Sequence, residues 1–229
     1  MSDKLQPISG SEPLSDAEPP LFHLALRLDG QRCLVVGGGP VGTHKAESLA
    51  ACGALVTVVA PEISPGLELL GVKIERRCYE AADLDGCRLV VAATGVPAVD
   101  RQVYVDARER GVLVNAADDP EACEYLVPAV TRVGPVSVAV STGGLSPYLA
   151  GWIKRQIAGV LPPEVGELAT LVGRCRSSLR TAGLSSEDAD WDALVDGLLW
   201  PLVSEGRMPE AATAAEAWVE AERSRLSQG

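Results

Sequence analysis

The sequence is short of positive charge: 20 Lys and Arg against 31 Asp and Glu leave a formal net charge of −11. Such a balance argues against a nucleic-acid binder that works through a general basic surface, because neutralising phosphates needs clustered cations. Histidine is nearly missing, with only His23 and His44, so no clustered metal ligands are legible and the expected metal set is none. The six cysteines, at 33, 52, 78, 87, 123 and 175, contain no Cys-x-x-Cys pair. Several lie within apolar runs, which reads as buried free thiols ahead of disulfides or a zinc site. Aromatic residues are scarce, yet Trp152, Trp191, Trp200 and Trp218 all fall in the helical part that ends the chain. Core or dimer packing is the default expectation for them, ahead of ligand stacking. No apolar run approaches the length of a membrane span, and the first residues show no basic-then-apolar signal pattern. The expectation is a cytoplasmic protein with no membrane or nucleic-acid partner.

Against these absences stands one stretch that organises the rest. Arg32-Cys33-Leu34-Val35-Val36 is an apolar run entering Gly37-x-Gly39-x-x-Gly42, which opens into a helical pattern. In a dinucleotide-binding turn, Gly37 makes the tight turn, Gly39 lets the backbone approach a pyrophosphate, and Gly42 lets the helix pack on its strand. Pro40 suits the first helical turn, where a missing N–H costs nothing. The helix N-terminus then offers unpaired N–H groups and a partial positive charge to the diphosphate, with Val41 in its first turn. Glu62 follows a second apolar run, 55–60, about 20 residues beyond the glycines, where a carboxylate holds a ribose hydroxyl. Pro61 and Glu62 are therefore placed near the adenosine ribose, and NAD is expected over NADP because Glu62 would repel a 2′-phosphate. The bland alternative is a tight strand-to-helix turn with no cofactor. The glycine turn alone would also allow an oxidoreductase with another small substrate, or a Rossmann module that senses NAD without catalysis.

The pattern along the chain alternates short apolar runs (32–36, 55–60, 72–77, 87–93, 112–116) with helical stretches (41–52, 97–110), plus a short helix within 63–70. Such alternation predicts a parallel sheet covered by helices. After Asn115 the rhythm changes: 125–132 and 135–141 read as a hairpin with Gly134 in the turn. Helices are predicted from Ser146-Pro147 to about Val160, over 164–179, over 186–203 with Ser185 or Ser186 as cap, and over 209–225. The expected fold class is α/β: a Rossmann-type parallel sheet over 21–116, a central dimerisation region over 117–162, and a small helical C-terminal domain over 163–229. Residues 1–20, rich in Ser, Pro and acidic side chains, are expected to be a disordered tail.

Taken together, GGGPVGTHKA at 37–46, VAAT at 91–94, NAADDP at 115–120, VP at 127–128 and VAVSTGGLSPYLA at 138–150 resemble the precorrin-2 dehydrogenase and sirohydrochlorin ferrochelatase family. This is the dehydrogenase half of sirohaem synthases, and the likeness runs in order from about Leu21 to Leu179. The Asn-x-x-Asp-x-Pro and Ser-Thr-Gly-Gly-x-Ser-Pro blocks are its most specific pieces, since a generic Rossmann domain has neither. The resemblance implies NAD-dependent oxidation of precorrin-2 to sirohydrochlorin, in a homodimer whose active site lies between the cofactor and the dimerisation region. Whether Fe2+ is also inserted is left open. It adds Gly38 and Thr94 to the cofactor set and makes Asp118 the catalytic acid–base residue, with Asp119 as its competitor. Without it, Asp118, Asp119 and Pro120 read as turn formers. Ser141, Thr142, Gly143, Gly144 and Ser146 become donors to substrate carboxylates; the alternative is a glycine-rich loop that only caps the next helix. Lys45, Arg101, Arg132, Lys154 and Arg155 are the candidate cations for a polycarboxylate substrate, while Arg174, Arg176 and Arg180 read as a solvated face. Several positions depart from the family pattern: His44 precedes the lysine, Gly95 follows the Ala-Ala-Thr, Asp100 stands for an Asn, and Thr142 for a second serine. The methyltransferase domain fused to some relatives is expected to be absent.

Overall fold

The computed structural model describes residues 20–117 and 119–227, so the expected tail over 1–20 lies almost entirely outside the described residues. Five strands, β1 (Arg32–Val36), β2 (Leu55–Val59), β3 (Lys73–Glu75), β4 (Leu89–Ala92) and β5 (Leu113–Ala116), form one parallel sheet in the order β3-β2-β1-β4-β5. That order is the Rossmann arrangement, in which the chain crosses over after β3 and leaves a crevice at the carboxyl ends of β1 and β4. The strands read as apolar runs because both faces are covered. On one face, Leu34, Val36, Val90, Ala92, Val114 and Ala116 pack with Val103 and Ala107 of α3 (Pro97–Arg110). On the other, Cys33, Val35, Val58, Leu89 and Val91 pack with Ala46 of α1 (Pro40–Ala50) and Leu67 of α2 (Pro65–Glu68). Successive residues of one strand thus feed opposite cores, as the two-residue period requires.

Contacts divide the chain into two units that meet at Leu126 and Val127. The division falls beyond residue 116 because the chain after β5 returns along the sheet edge. Glu124 N–H donates to the Val114 carbonyl at 2.8 Å, and Cys123 bridges Asn115 in antiparallel sense.

The second unit opens with the antiparallel hairpin β6 (Ala129–Val133) and β7 (Val136–Val140), joined by Gly134-Pro135. β6 begins at Ala129, four residues later than the expected 125, since Val127-Pro128 gives no ladder donor at the proline. Helices α4 (Pro147–Val160), α5 (Val165–Thr181), α6 (Trp200–Ser204) and α7 (Met208–Leu226) follow. Leu171, Cys175 and Leu179 of α5 meet Ala211, Ala215 and Val219 of α7, the alanines allowing close approach. Trp191 and Trp218 stack obliquely at 5.4 Å between ring centres.

The single helix expected over 186–203 is a correction. Residues Ala193–Leu199 are wound as a π-helix that runs directly into α6, and the cap is Asp190, whose carboxylate accepts from Ala193 N–H at 3.1 Å. Ser186 instead offers its carbonyl to the Trp191 indole N–H at 2.8 Å. Leu194 and Leu199, five residues apart, are both fully buried, a spacing that suits the wider winding. The cysteines are free thiols, but only Cys33 and Cys175 are buried, while Cys52 and Cys78 are exposed. No helix of the described residues is long and apolar enough to cross a membrane.

Candidate functional site

The crevice at the carboxyl end of β1 holds a cavity of about 590 Å³, lined among others by Gly37, Gly38, Gly39, Pro61, Glu62 and Thr94. Six expected cofactor residues therefore share one cavity. The three remaining, Pro40, Val41 and Gly42, begin α1 directly beside it.

Each glycine has a separate reason. Gly37 lies at φ 125°, a region open to glycine, and a Cβ there would fall 2.2 Å from the Ala93 carbonyl oxygen. At Gly42 a Cβ would sit 2.1 Å from the Gly37 carbonyl oxygen, so α1 could not close on the turn. Gly39 differs: it is exposed, and a Cβ would meet nothing within 4 Å. Space above Gly39 is what a pyrophosphate needs. As N-cap of α1, Gly39 makes no side-chain cap bond, and the first helical N–H groups have no partner within the helix. Gly38 was expected only from the resemblance, yet it is as constrained as Gly42, because a Cβ would lie 2.1 Å from the Glu62 carbonyl oxygen. This close approach brings the Glu62 segment against the turn. It is held by Ser64 N–H donating to the Gly38 carbonyl at 2.9 Å and by a Thr43–Ser64 hydroxyl pair at 2.7 Å.

Thr94 follows β4 by two residues and lines the cavity. Its backbone N–H and its hydroxyl both donate to Asp100 Oδ1, at 3.1 and 2.8 Å, and Asp100 is buried at the start of α3. Asp100, met in the sequence as a departure from the family, is the acceptor that fixes this turn. Cys78 and Tyr79 also line the cavity and were missed, since they follow β3 and only the strand order brings them to β1. The Tyr79 hydroxyl donates to Asp106 at 3.0 Å, and burial together with that carboxylate pushes its pKa upward.

Asp118 lies outside the described residues. Its neighbours hold the loop at both ends: Ala117 N–H donates to the Ala92 carbonyl at 2.9 Å, and Asp119 Oδ1 accepts from Glu121 N–H at 3.1 Å. Asp119 thus caps the turn Pro120–Ala122, and its second oxygen faces Arg101 at 3.8 Å.

In the second unit, residues 141–146 join β7 to α4. Ser146 Oγ accepts from Leu149 N–H at 3.2 Å as N-cap, Thr142 Oγ1 accepts from Ser146 N–H at 3.0 Å, and Ser141 Oγ accepts from Gly143 N–H at 3.2 Å. The three hydroxyls hold the loop itself. The Gly144 N–H makes no hydrogen bond among the described residues.

Strand order, glycine turn and open helix N-terminus define a dinucleotide-binding domain of the Rossmann class. A family model described as "Putative NAD(P)-binding" matches residues 24–129, and one described as sirohaem biosynthesis protein central matches 133–159. The siroheme synthase of Pseudomonas entomophila (strain L48) is 38% identical over 207 residues, covering 88% of this chain and 44% of that protein. The siroheme synthase of Chromobacterium violaceum is 40% identical over 201 residues, with 85% and 42% covered. The chain thus spans less than half the length of these relatives. A solved structure titled SirC, precorrin-2 dehydrogenase, superposes with a TM-score of 0.66 at 24% identity over 88% of this chain and all of that one, and shares its fold. The chain belongs to the family that forms the NAD(P)-binding half of sirohaem synthases.

Proposed function

We propose that the chain is an NAD-dependent dehydrogenase that oxidises precorrin-2 to sirohydrochlorin in sirohaem biosynthesis. The observation that carries this reading is the open cradle at Gly39, in a chain whose next segment matches the sirohaem central family. Bound NAD+ supplies the hydride acceptor. The chain's own residues hold and orient. Unpaired N–H groups at the start of α1 receive the pyrophosphate, and exposed Glu62 on the cavity rim accepts from the ribose hydroxyls while repelling a 2′-phosphate. Asp118 takes the proton that leaves the macrocycle as the hydride departs. Oxygen and nitrogen donors of the 141–146 loop, chiefly the Gly144 N–H and the start of α4, face substrate carboxylates. The same proposal puts the chain in the cytoplasm.

Incubation with precorrin-2 and NAD+ should generate NADH absorbance together with the sirohydrochlorin spectrum. NAD+ binding without turnover would instead identify a sensing module, and repeating the assay with Fe2+ reads iron insertion.

The same proposal includes a homodimer built on a central region, 117–162, between the Rossmann domain and the helical domain 163–229. The hairpin has no buried residue on either strand, and α4 buries only Ala150. Leu145, Tyr148 and Val160 are 91%, 77% and 79% exposed, apolar side chains of this region that a partner surface would cover. Light scattering at micromolar concentration should report twice the chain mass, and a fully active monomer would overturn the dimer.

A further inference from the structure

A negative charge stands directly behind the cavity wall, on the β4 side of the glycine turn. The Ala93–Thr94 peptide lies against that turn: a Cβ at Gly37 would meet the Ala93 carbonyl oxygen at 2.2 Å and the Thr94 nitrogen at 3.0 Å. Thr94, Val96 and Val99 line the cavity, and Asp100 follows them in the first turn of α3, only 8% exposed. Both Thr94 donors, the backbone N–H and the hydroxyl, end on the same oxygen, Asp100 Oδ1. An oxygen that accepts twice belongs to a carboxylate, and the start of a helix favours that charge. The adjacent cation, Arg101, faces Asp119 at 3.8 Å and the Tyr104 ring at 5.0 Å instead.

Strand order decides which half of a dinucleotide passes this charge. β2 and β4 flank β1 on opposite sides. In the proposed binding mode Glu62, which follows β2, receives the adenosine ribose, and the pyrophosphate sits on the start of α1. The nicotinamide half then leaves the glycine turn on the β4 side, past Thr94. NAD+ and NADH differ there by one unit of charge, since the oxidised ring is a cation and the reduced ring is neutral. A carboxylate close behind the wall therefore tells them apart, and its burial protects that attraction from screening by salt.

We infer that Asp100 is a specificity-determining residue for the oxidation state of the cofactor: its carboxylate, one hydrogen bond behind Thr94, holds NAD+ in preference to NADH. This rests on the reading of the chain as an NAD-dependent dehydrogenase. It adds a selection that neither the glycine turn nor Glu62 makes, because both face parts of the cofactor that the two forms share. The same charge assists release of the reduced cofactor once the hydride has been transferred.

The test measures Kd for NAD+ and for NADH by calorimetry on wild type, Asp100→Asn, Asp100→Ser and Asp106→Asn, with thermal unfolding alongside. Asparagine keeps an oxygen for both Thr94 bonds and removes only the charge. The Kd for NADH divided by that for NAD+ should fall about four- to fifteenfold in Asp100→Asn, the effect of one unit charge about 10 Å away at an effective dielectric of roughly 20 to 40. Asp100→Ser should lower the ratio likewise, even if it is less stable, because the ratio compares two ligands on one protein. Asp106 is the control: it is equally buried on α3 but about 9 Å further from the crevice end of the helix, so Asp106→Asn should keep the ratio within about twofold. Wild type that binds neither nucleotide would overturn the dehydrogenase reading and this inference with it. Affinities for NAD+ and NADH that change in step in the Asp100 variants would overturn the inference alone and leave Asp100 as the anchor of a turn. An equal fall of the ratio in Asp106→Asn would trace the effect to general charge and overturn the inference as well.

Discussion

Replacing Asp118 with Ala is expected to lower turnover by about 10² to 10⁴, the usual cost of losing a positioned acid or base. At about 1.36 kcal/mol per factor of ten, that is roughly 3 to 5 kcal/mol of transition-state stabilisation. Folding and NAD+ affinity should be nearly untouched. The bonds that anchor the loop belong to Ala117 and Asp119, and the cradle lies on β1 and α1. Asp119→Ala is the matched comparison and has its own signature: loss of the cap on Pro120–Ala122 costs about 0.5 to 2 kcal/mol in stability, with most turnover kept. Steady-state NADH production and urea unfolding on both variants separate the two effects. Equal small losses of activity would remove the acid–base role and leave both aspartates as turn formers.

Gly39→Asp should abolish NAD+ binding without harming the fold. Nothing lies within 4 Å of a Cβ at Gly39, and an aspartate at the N-cap of α1 can accept from the first helical N–H groups. The new carboxylate would then occupy the anion site. Two like charges about 4 Å apart repel by about 4 kcal/mol at the dielectric of a protein surface, close to a thousandfold in affinity. Calorimetry should show no measurable NAD+ binding while the unfolding midpoint is unchanged or higher. Gly42→Ala is the contrast. Its Cβ would lie 2.1 Å from the Gly37 carbonyl oxygen, so stability should fall along with binding. Unchanged NAD+ affinity in Gly39→Asp would mean that the cradle is a turn only.

Much of the first unit is legible from local pattern. Both faces of a parallel sheet are covered, so the strands at 32–36, 55–59 and 89–92 are continuous apolar runs, and the glycine spacing marks the turn between β1 and α1. The places of Gly37 and Gly42 follow from that spacing because a tight turn and a close helix contact each exclude a side chain for a local reason. The π-wound stretch at 193–199 was not legible, since a spacing of five between buried leucines is easily read as ordinary helix with one misplaced residue.

The sequence by itself determined the class of fold, the position of the glycine turn and, through its two most specific blocks, the family. Those properties rest on short-range rules: a period of two or 3.6, a glycine count, a motif within thirty residues. The tertiary structure alone decided that the Glu62 carbonyl leaves no room for a side chain at Gly38, that Asp100 fixes Thr94, and that Tyr79 reaches the cavity. It alone tied the Asn115 Nδ2 to the Tyr125 carbonyl and left the Asn115 Oδ1 buried without a donor among the described residues. Such pairings join residues tens of positions apart. They depend on which strands become neighbours and which helix face turns inward, and no local pattern records an unmet carbonyl until the chain has folded around it.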